Sequence, residues 1–295
     1  MSWLEESKEY RKNIEESYRN RLHIFNEDMS FSDSTNVDYI DSLVEQGLLV
    51  KDEDGGYSCL DWKNARKIDI SYFIEDGRFI VRFNKWVGKF SCINKGLVSL
   101  EGAPKEVTRD FLCRKNKLVS LQGAPQKVGG LFDCSFNKLT SLEYCPQEIG
   151  GDFICTCNNL TSLEGVPKKI IKGTFKCDHN KLTSLEGSPR RIRYGFYCYH
   201  NQLKTLKGGP DRTGWDFDCS VNNLTSLEGA PKYVGGNFDC TFNEITSLNG
   251  TPEFVGENFI IDNNPISSDT KVKKPKGVKG RFLKYSDLRV LQAQR

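Results

Sequence analysis

The stretch that decides the fold is TSLEGAPKYVGGNFDCTFN, residues 225–243, because its pattern recurs along most of the chain. Its cysteine, Cys240, belongs to a series that recurs every 21 residues with a single step of 22. The series is Cys92, Cys113, Cys134, Cys155, Cys177, Cys198, Cys219 and Cys240, and Ile261 continues it. Two residues before each member stands a phenylalanine: Phe90, Phe111, Phe132, Phe153, Phe175, Phe196, Phe217, Phe238 and Phe259. A fixed period near 21 residues predicts a solenoid of about nine units.

Other positions repeat with the same period. An asparagine stands three residues after the cysteine position in every unit but the first, where Lys95 replaces it. These asparagines are Asn116, Asn137, Asn158, Asn180, Asn201, Asn222, Asn243 and Asn264. Leucine or isoleucine follows five residues after the cysteine position, leucine recurs at eight and proline at twelve. The pattern F-x-C-x-x-N-x-L-x-x-L is that of a leucine-rich repeat with Phe and Cys in the strand.

The spacing also predicts which side chains form the core. Phe and Cys lie two residues apart, so both point to the same face of a strand, and strands of successive units pair in parallel. We expect each phenylalanine to stack on the next and each asparagine amide to satisfy backbone groups of adjacent turns. The remaining dozen residues carry Pro and often Gly-Gly, as at Gly129-Gly130, and predict an extended or polyproline-like convex side.

Residues 225–243 resemble the repeats of leucine-rich repeat proteins encoded by large tailed bacteriophages. They are also similar to the short bacterial class in secreted ubiquitin-ligase effectors. The resemblance covers about residues 84–268. It implies a parallel sheet on a concave face that binds other proteins, in an accessory protein of the host bacterial cytoplasm. Such a protein would bind and inhibit or redirect a host protein, for example one of its defence complexes. The ligase effectors carry a separate catalytic domain, for which the segments outside these repeats are too short.

The N-terminal 66 residues predict a small mixed helix and hairpin region. Apolar side chains three or four apart indicate a helix over residues 3–25, and a second helix is expected over residues 35–45 with Gly47 as its stop. The next segment, LLVKDEDGGYSCL, is typical of a hairpin with its turn at residues 54–56. Residues 67–83 are expected to form a second hairpin around Asp76-Gly77 that caps the first repeat. A helix followed by a hairpin also resembles a winged helix.

The two ends of the chain carry opposite charge. The whole chain has a formal net charge of +3, but residues 1–60 hold 14 acidic and 6 basic side chains. Because DNA-binding modules are usually basic, this acidity disfavours DNA binding by the winged-helix-like segment. Residues 269–295 form a basic C-terminal cap or tail with nine basic and two acidic side chains. The residues of this tail that could make electrostatic contacts with a partner are Lys271, Lys273, Lys274, Lys276, Lys279 and Arg281. The tail could be a solvated capping strand, an arm for an acidic or phosphate-bearing partner, or a contact with the acidic region of a second copy.

The candidate binding site lies in the middle units, on the face opposite the core. Positions one before, one after and two after each cysteine should line the concave face, and most units place small or acidic residues there. The middle units differ by offering Lys176, Asp178, His179, Tyr197, Tyr199 and His200, flanked by Asp216 and Asp218. Aromatic side chains of this kind concentrate binding energy at interfaces. Alternatively, the position two after the cysteine is half-buried and merely tolerates rings, as Phe136 and Phe242 suggest.

The sequence favours a non-enzymatic protein with no cofactor and no metal. No phosphate-binding loop, dinucleotide fingerprint or HExxH motif is present, and the repeat cysteines point away from the two histidines. The lack of a secretory signal and of a long apolar run indicates a cytoplasmic protein with reduced thiols and no membrane partner. Two other functions stay open. One is a nucleic-acid binder that uses the basic tail and the winged-helix-like segment, and the other is a structural component of the virion.

Overall fold

The computed structural model describes residues 36–167, 172–269 and 273–283. The chain divides into two compact units, Met1–Asp38 and Tyr39–Arg295. The second unit is a parallel β-solenoid of about nine turns with few helices, as the 21-residue period predicts. The helix expected over residues 3–25 lies outside the described residues.

The longest sheet has ten strands, one from each turn and a last one from the C-terminal segment. Each strand is only two residues long and begins with the repeated phenylalanine. The strands are Phe90–Ser91, Phe111–Leu112, Phe132–Asp133, Phe153–Ile154, Phe175–Lys176, Phe196–Tyr197, Phe217–Asp218, Phe238–Asp239, Phe259–Ile260 and Phe282–Leu283. All neighbours pair in parallel with phenylalanine opposite phenylalanine. The predicted register is therefore confirmed.

The phenylalanines form one continuous stack inside the solenoid. From Phe90 to Phe282, ring centroids of successive turns lie 5.1–5.8 Å apart. The nine repeat phenylalanines and the eight repeat cysteines are fully buried. All eleven cysteines of the chain are free thiols, and burial raises the pKa of Cys92 to about 12. The cysteine therefore acts as a small apolar side chain in this core.

A ladder of asparagines ties each turn to the turn before it. In turn six, Nδ2 of Asn201 donates to the carbonyl oxygens of Cys177 and Cys198, at 3.1 and 3.0 Å. Its Oδ1 accepts from the backbone N–H of Leu182 at 3.0 Å. The same three bonds recur at all eight asparagines. The amide thus satisfies buried backbone groups at the strand end, as the sequence predicts.

The residue before each ladder asparagine, or before Lys95 in the first turn, has a left-handed backbone conformation, which the sequence did not predict. Its φ lies between 51° and 58° in all nine turns. The residues are Asn94, Lys115, Phe136, Cys157, His179, His200, Val221, Phe242 and Asn263, and no glycine is among them. Left-handed backbone is unfavourable for most of these residue types, so the surrounding turn imposes it.

A second set of short parallel strands lies outside the ten-stranded sheet, in place of the polyproline-like path. Phe83–Trp86, Glu106–Val107, Lys127–Val128 and Glu148–Ile149 belong to a six-stranded sheet, and Arg191–Ile192, Arg212–Thr213, Tyr233–Val234 and Phe254–Val255 form a four-stranded sheet. The backbone is extended, as expected, but it is paired between turns. The Gly-Gly pairs allow this close approach, because a Cβ at Gly129 would collide with the Thr108 carbonyl oxygen.

The N-terminal part of the described chain begins with a helix, Asn36–Glu45, which buries Ile40 and Leu43 and ends before Gly47. The first predicted hairpin is present as Val50–Lys51 antiparallel to Tyr57–Cys59, and Tyr57–Cys59 also pairs in parallel with Phe83–Trp86. A helical turn at Trp62–Ala65 and a 3₁₀ turn at Ile70–Phe73 follow.

The second predicted hairpin is shorter than residues 67–83. It consists of Ile74–Glu75 and Arg78–Phe79, joined at Asp76-Gly77. Phe83 is not part of its return strand, because Phe83–Trp86 instead pairs in parallel with Glu106–Val107. The hairpin contacts the first turn, where the Gly77 carbonyl oxygen accepts from the Val98 N–H at 2.9 Å.

Candidate functional site

The face of the ten-stranded sheet opposite the Phe–Cys core is called the open face here. It carries the side chains one residue before and one residue after each cysteine, and it is flanked by those two residues after and three residues before. The eight site residues predicted from the sequence come from turns five to seven, and we call them the open-face cluster. They are Lys176, Asp178, His179, Tyr197, Tyr199, His200, Asp216 and Asp218. Parallel pairing places Lys176 opposite Tyr197, and Tyr197 opposite Asp218.

The two histidines of the cluster stack on each other, as adjacent turns require. Their ring centroids lie 4.5 Å apart, and the Tyr199 ring meets His179 edge-on at 5.3 Å. Nδ1 of His179 lies 3.1 Å from Oδ2 of Asp178, whose other oxygen accepts from the Thr156 hydroxyl at 2.9 Å. The side chains of Asp178 and His179 are only 3% and 11% exposed. These two residues therefore support the surface from beneath. The low exposure of the His179 ring agrees with the alternative that the position two after the cysteine is half-buried and tolerates rings.

Lys176, Tyr197 and Asp216 form the more accessible part of the cluster. The Lys176 ammonium lies 5.3 Å from the Tyr197 ring centroid, and the Tyr197 hydroxyl donates to Oδ2 of Asp216 at 3.2 Å. Burial and the two nearby carboxylates, Asp216 and Asp218, raise the pKa of Tyr197 to about 12. The phenol thus stays protonated and fixes its ring between a cation and an acid.

An acidic pair continues the open face beyond the tyrosines. Asp218 lies directly opposite Asp239 in the next strand. Burial, followed by the charge of Asp239, raises the pKa of Asp218 to about 7, although Ser220 donates to its Oδ1 through both N–H and hydroxyl. Burial likewise raises the pKa of Asp239. Sequence reasoning left Asp239 out of the site, although the 21-residue period that places it beside Asp218 was visible.

The basic tail is only partly an extended arm. Lys273, Lys274, Lys276, Lys279 and Arg281 are exposed, and Lys271 lies outside the described residues. Phe282–Leu283, however, is the last strand of the ten-stranded sheet, and the Phe282 ring stacks on Phe259 at 5.4 Å. The Lys274 ammonium donates to the Gly280 carbonyl oxygen at 2.8 Å. The segment up to residue 283 therefore extends the solenoid and displays its lysines beside it.

Within residues 36–167, 172–269 and 273–283, no group of three or more His, Cys, Asp or Glu side chains is arranged to hold a metal ion. The same residues contain no helix of sufficient length and apolarity to cross a membrane. Neither the comparison with family models nor the comparison with curated proteins finds a match for this chain. Proposals about function therefore depend on the surfaces of the solenoid.

Proposed function

We propose that this protein is a leucine-rich repeat scaffold that binds another protein through the open face of its ten-stranded sheet and performs no chemistry. The observation that carries the proposal is the concentration of Lys176, Tyr197 and Tyr199 in adjacent turns. Rigid aromatic rings next to charged groups are what protein interfaces use as energetic centres. The neighbouring turns bear smaller side chains, such as Ser135 and Thr156.

The cluster is preorganised for such contacts. Tyr197 is held by its hydrogen bond to Asp216 and by the ammonium of Lys176, so little side-chain entropy remains to be lost on binding. The stacked histidines below fix the position of Tyr199. A partner with a basic or hydrogen-bonding group would reach Asp216 and Asp218 beside an apolar ring.

The resemblance to phage repeat proteins supports a particular setting for this binding. In that setting, the protein acts inside an infected bacterium and captures a host protein, which it inhibits or redirects by occupancy. A solenoid that stacks repeats of one design offers an extended surface for this purpose. The partner would be a protein with a complementary basic and apolar surface.

The test is affinity capture from bacterial lysate with the wild-type chain and with the double variant Tyr197→Ala, Tyr199→Ala. We expect the double variant to lose the specific partner, with at least a tenfold loss in affinity once the partner is purified. The matched control is Val119→Ala, Tyr144→Ala, which removes two large exposed side chains (59% and 55% exposed) outside the open face. If the open-face variant retains every partner, or the control loses them equally, the proposed site is wrong.

A further inference from the structure

The four-stranded sheet presents a second surface, which is separate from the open face of the ten-stranded sheet. Its strands line a groove of about 740 Å³ between turns. Five basic residues and a single acidic one, Asp211, line it, and we call it the basic groove. Its basic residues are Lys172, Arg191, Arg193, Arg212 and Lys232. All five are exposed; the Lys232 ammonium pairs with the Glu253 carboxylate at 3.7 Å, whereas no ion pair is recorded for the other four among the described residues.

The corresponding surface of the earlier turns is balanced in charge. The first residues of the strands there are Glu106, Lys127 and Glu148, which lie opposite one another. The Lys127 ammonium pairs with the Glu148 carboxylate at 3.6 Å. The excess of positive charge is therefore a property of the later turns and not of the repeat itself.

Two arginines occupy directly opposed positions in the groove. Arg191 and Arg212 are Cα partners in adjacent parallel strands, one strand spacing apart. The backbone of Arg191 pairs with that of Arg212, but its side chain makes no hydrogen bond, ion pair or ring contact with another residue that the structure describes. The Asp211 carboxylate pairs instead with Arg190 at 3.4 Å. Like charges directly opposite each other destabilise a sheet, so this arrangement favours an external anion between the two guanidinium groups.

Aromatic rings accompany these charges. The Arg212 guanidinium lies 3.9 Å from the centroid of Tyr233, which stacks on Phe254 at 4.6 Å. Arg193 lies over Tyr194 at 5.5 Å, and Tyr194 packs against Trp215 at 4.8 Å. Trp215 is 59% exposed. The exposed Trp215 ring, which packs against Tyr194 beside the Arg193 guanidinium, is therefore a platform on which another planar group can stack.

We propose that the basic groove binds a single-stranded nucleic acid, with phosphates between Arg191 and Arg212 and an unpaired base on Trp215. Cationic side chains that follow a backbone and rings that stack on bases are the two elements of single-strand binding. A duplex hides its base faces, and the carboxylate side chains of an acidic polypeptide would use the charges without stacking on Trp215 as a base does. The inference does not depend on the proposed protein-binding function, since it concerns a different surface.

The test measures fluorescence anisotropy of a labelled 20-nucleotide oligo(U) and oligo(dT) with the full chain at several salt concentrations. We expect saturable binding to the wild type and about a tenfold weaker affinity for Trp215→Ala. Arg191→Gln, Arg212→Gln should weaken binding further and reduce the slope of log K against log salt by about 1.4, at about 0.7 per lost charge. In the wild type, an unlabelled oligonucleotide should quench the intrinsic tryptophan fluorescence of the protein, because a base stacks on Trp215. This quenching should disappear in Trp215→Ala.

The matched control is Lys273→Gln, Lys276→Gln, which removes two charges from the exposed tail and leaves Lys274 in its hydrogen bond. It should retain the affinity of the wild type within a factor of about two. The inference is overturned if oligonucleotides do not bind at 50 mM salt, or if the tail variant loses as much affinity as the arginine variant. Equal competition by polyglutamate would overturn it in favour of an acidic protein partner. Equal binding of a 20-base-pair duplex would contradict the role of Trp215.

Discussion

The inward and outward positions of the same short strands follow opposite rules. Inward, the same residue types recur turn after turn: Phe in the stack, Cys beside it and Asn at the strand end. Outward, the position before the cysteine changes from Asp133 to Lys176 to Tyr197 within four turns. The backbone is nevertheless the same in each turn, since the register and the left-handed residue recur throughout. The inward positions therefore determine the fold and leave the outward ones free for binding.

The first prediction concerns a substitution at an inward position, one of the ladder asparagines. Asn222→Ala removes the donor to the carbonyl oxygens of Cys198 and Cys219 and the acceptor for the Leu203 N–H. The Cys198 and Cys219 carbonyl oxygens keep a second donor, from Asn201 and Asn243, but the buried Leu203 N–H would be left without a partner, which costs roughly 1–3 kcal/mol. With the loss of the two bonds that the Asn222 amide donates, we expect the free energy of unfolding to fall by about 2–4 kcal/mol, measured by urea denaturation followed by circular dichroism.

The neighbouring Asn223→Ala is the matched control. Asn223 is exposed, and its backbone N–H, which an alanine would keep, donates to the Leu203 carbonyl oxygen at 2.9 Å. Its replacement should change stability by less than about 0.5 kcal/mol. Equal losses for the two variants would show that the asparagine ladder is not what ties the turns together.

The inward rule explains why the sequence predicted so much of the fold. The recurrence of Phe, Cys and Asn every 21 residues is strong enough to predict strands, register, core and ladder without any contact information. The second set of strands was missed because two-residue strands such as Lys127–Val128 are too short to show a period of two. The left-handed turn was missed because residues such as Phe136 and Val221 carry no signal for it.

The second prediction concerns the outward acidic pair. The pKa of Asp218 is about 7 in the folded protein, above the ordinary value of 3.8, because burial and Asp239 disfavour its charge. The folded state therefore keeps a proton that the unfolded state loses, and stability falls as the pH rises from about 4 to about 7. Asp218→Asn should abolish most of this loss and stabilise the protein by about 1–4 kcal/mol at pH 8, but far less at pH 4.

Thermal or urea unfolding at both pH values measures this effect. The control is Glu228→Gln, which neutralises an exposed carboxylate paired with Lys207 at 3.3 Å. Exposed pairs of this kind contribute about 0–1 kcal/mol, so the control should show little change at either pH. A stability gain for Asp218→Asn that is the same at pH 4 and pH 8 would contradict the charge argument.

The outward surface was harder to predict for a physical reason. The sequence identified the middle turns as different, and the structure does bring Lys176, Tyr197 and Asp216 into contact. The sequence offered the half-buried alternative for the His179 position, but it could not predict that Asp178 is buried, because exposure on a tightly stacked sheet depends on the side chains of both neighbouring turns. The basic groove was missed for a similar reason, since Arg191 and Arg212 become neighbours only once the second set of strands is known.

The last and smallest prediction concerns the boundary between the two kinds of position. Val221 has a φ of 54°, which is costly for a β-branched side chain, whereas Asn94 and Asn263 occupy the same left-handed position in other turns. Val221→Asn should therefore stabilise the protein by about 1 kcal/mol in urea denaturation. Val119→Asn makes the same exchange at an exposed site outside the left-handed positions and should give no gain. If Val221→Asn destabilises the protein, packing of the valine against neighbouring turns outweighs its backbone strain, and this outward position contributes to the fold after all.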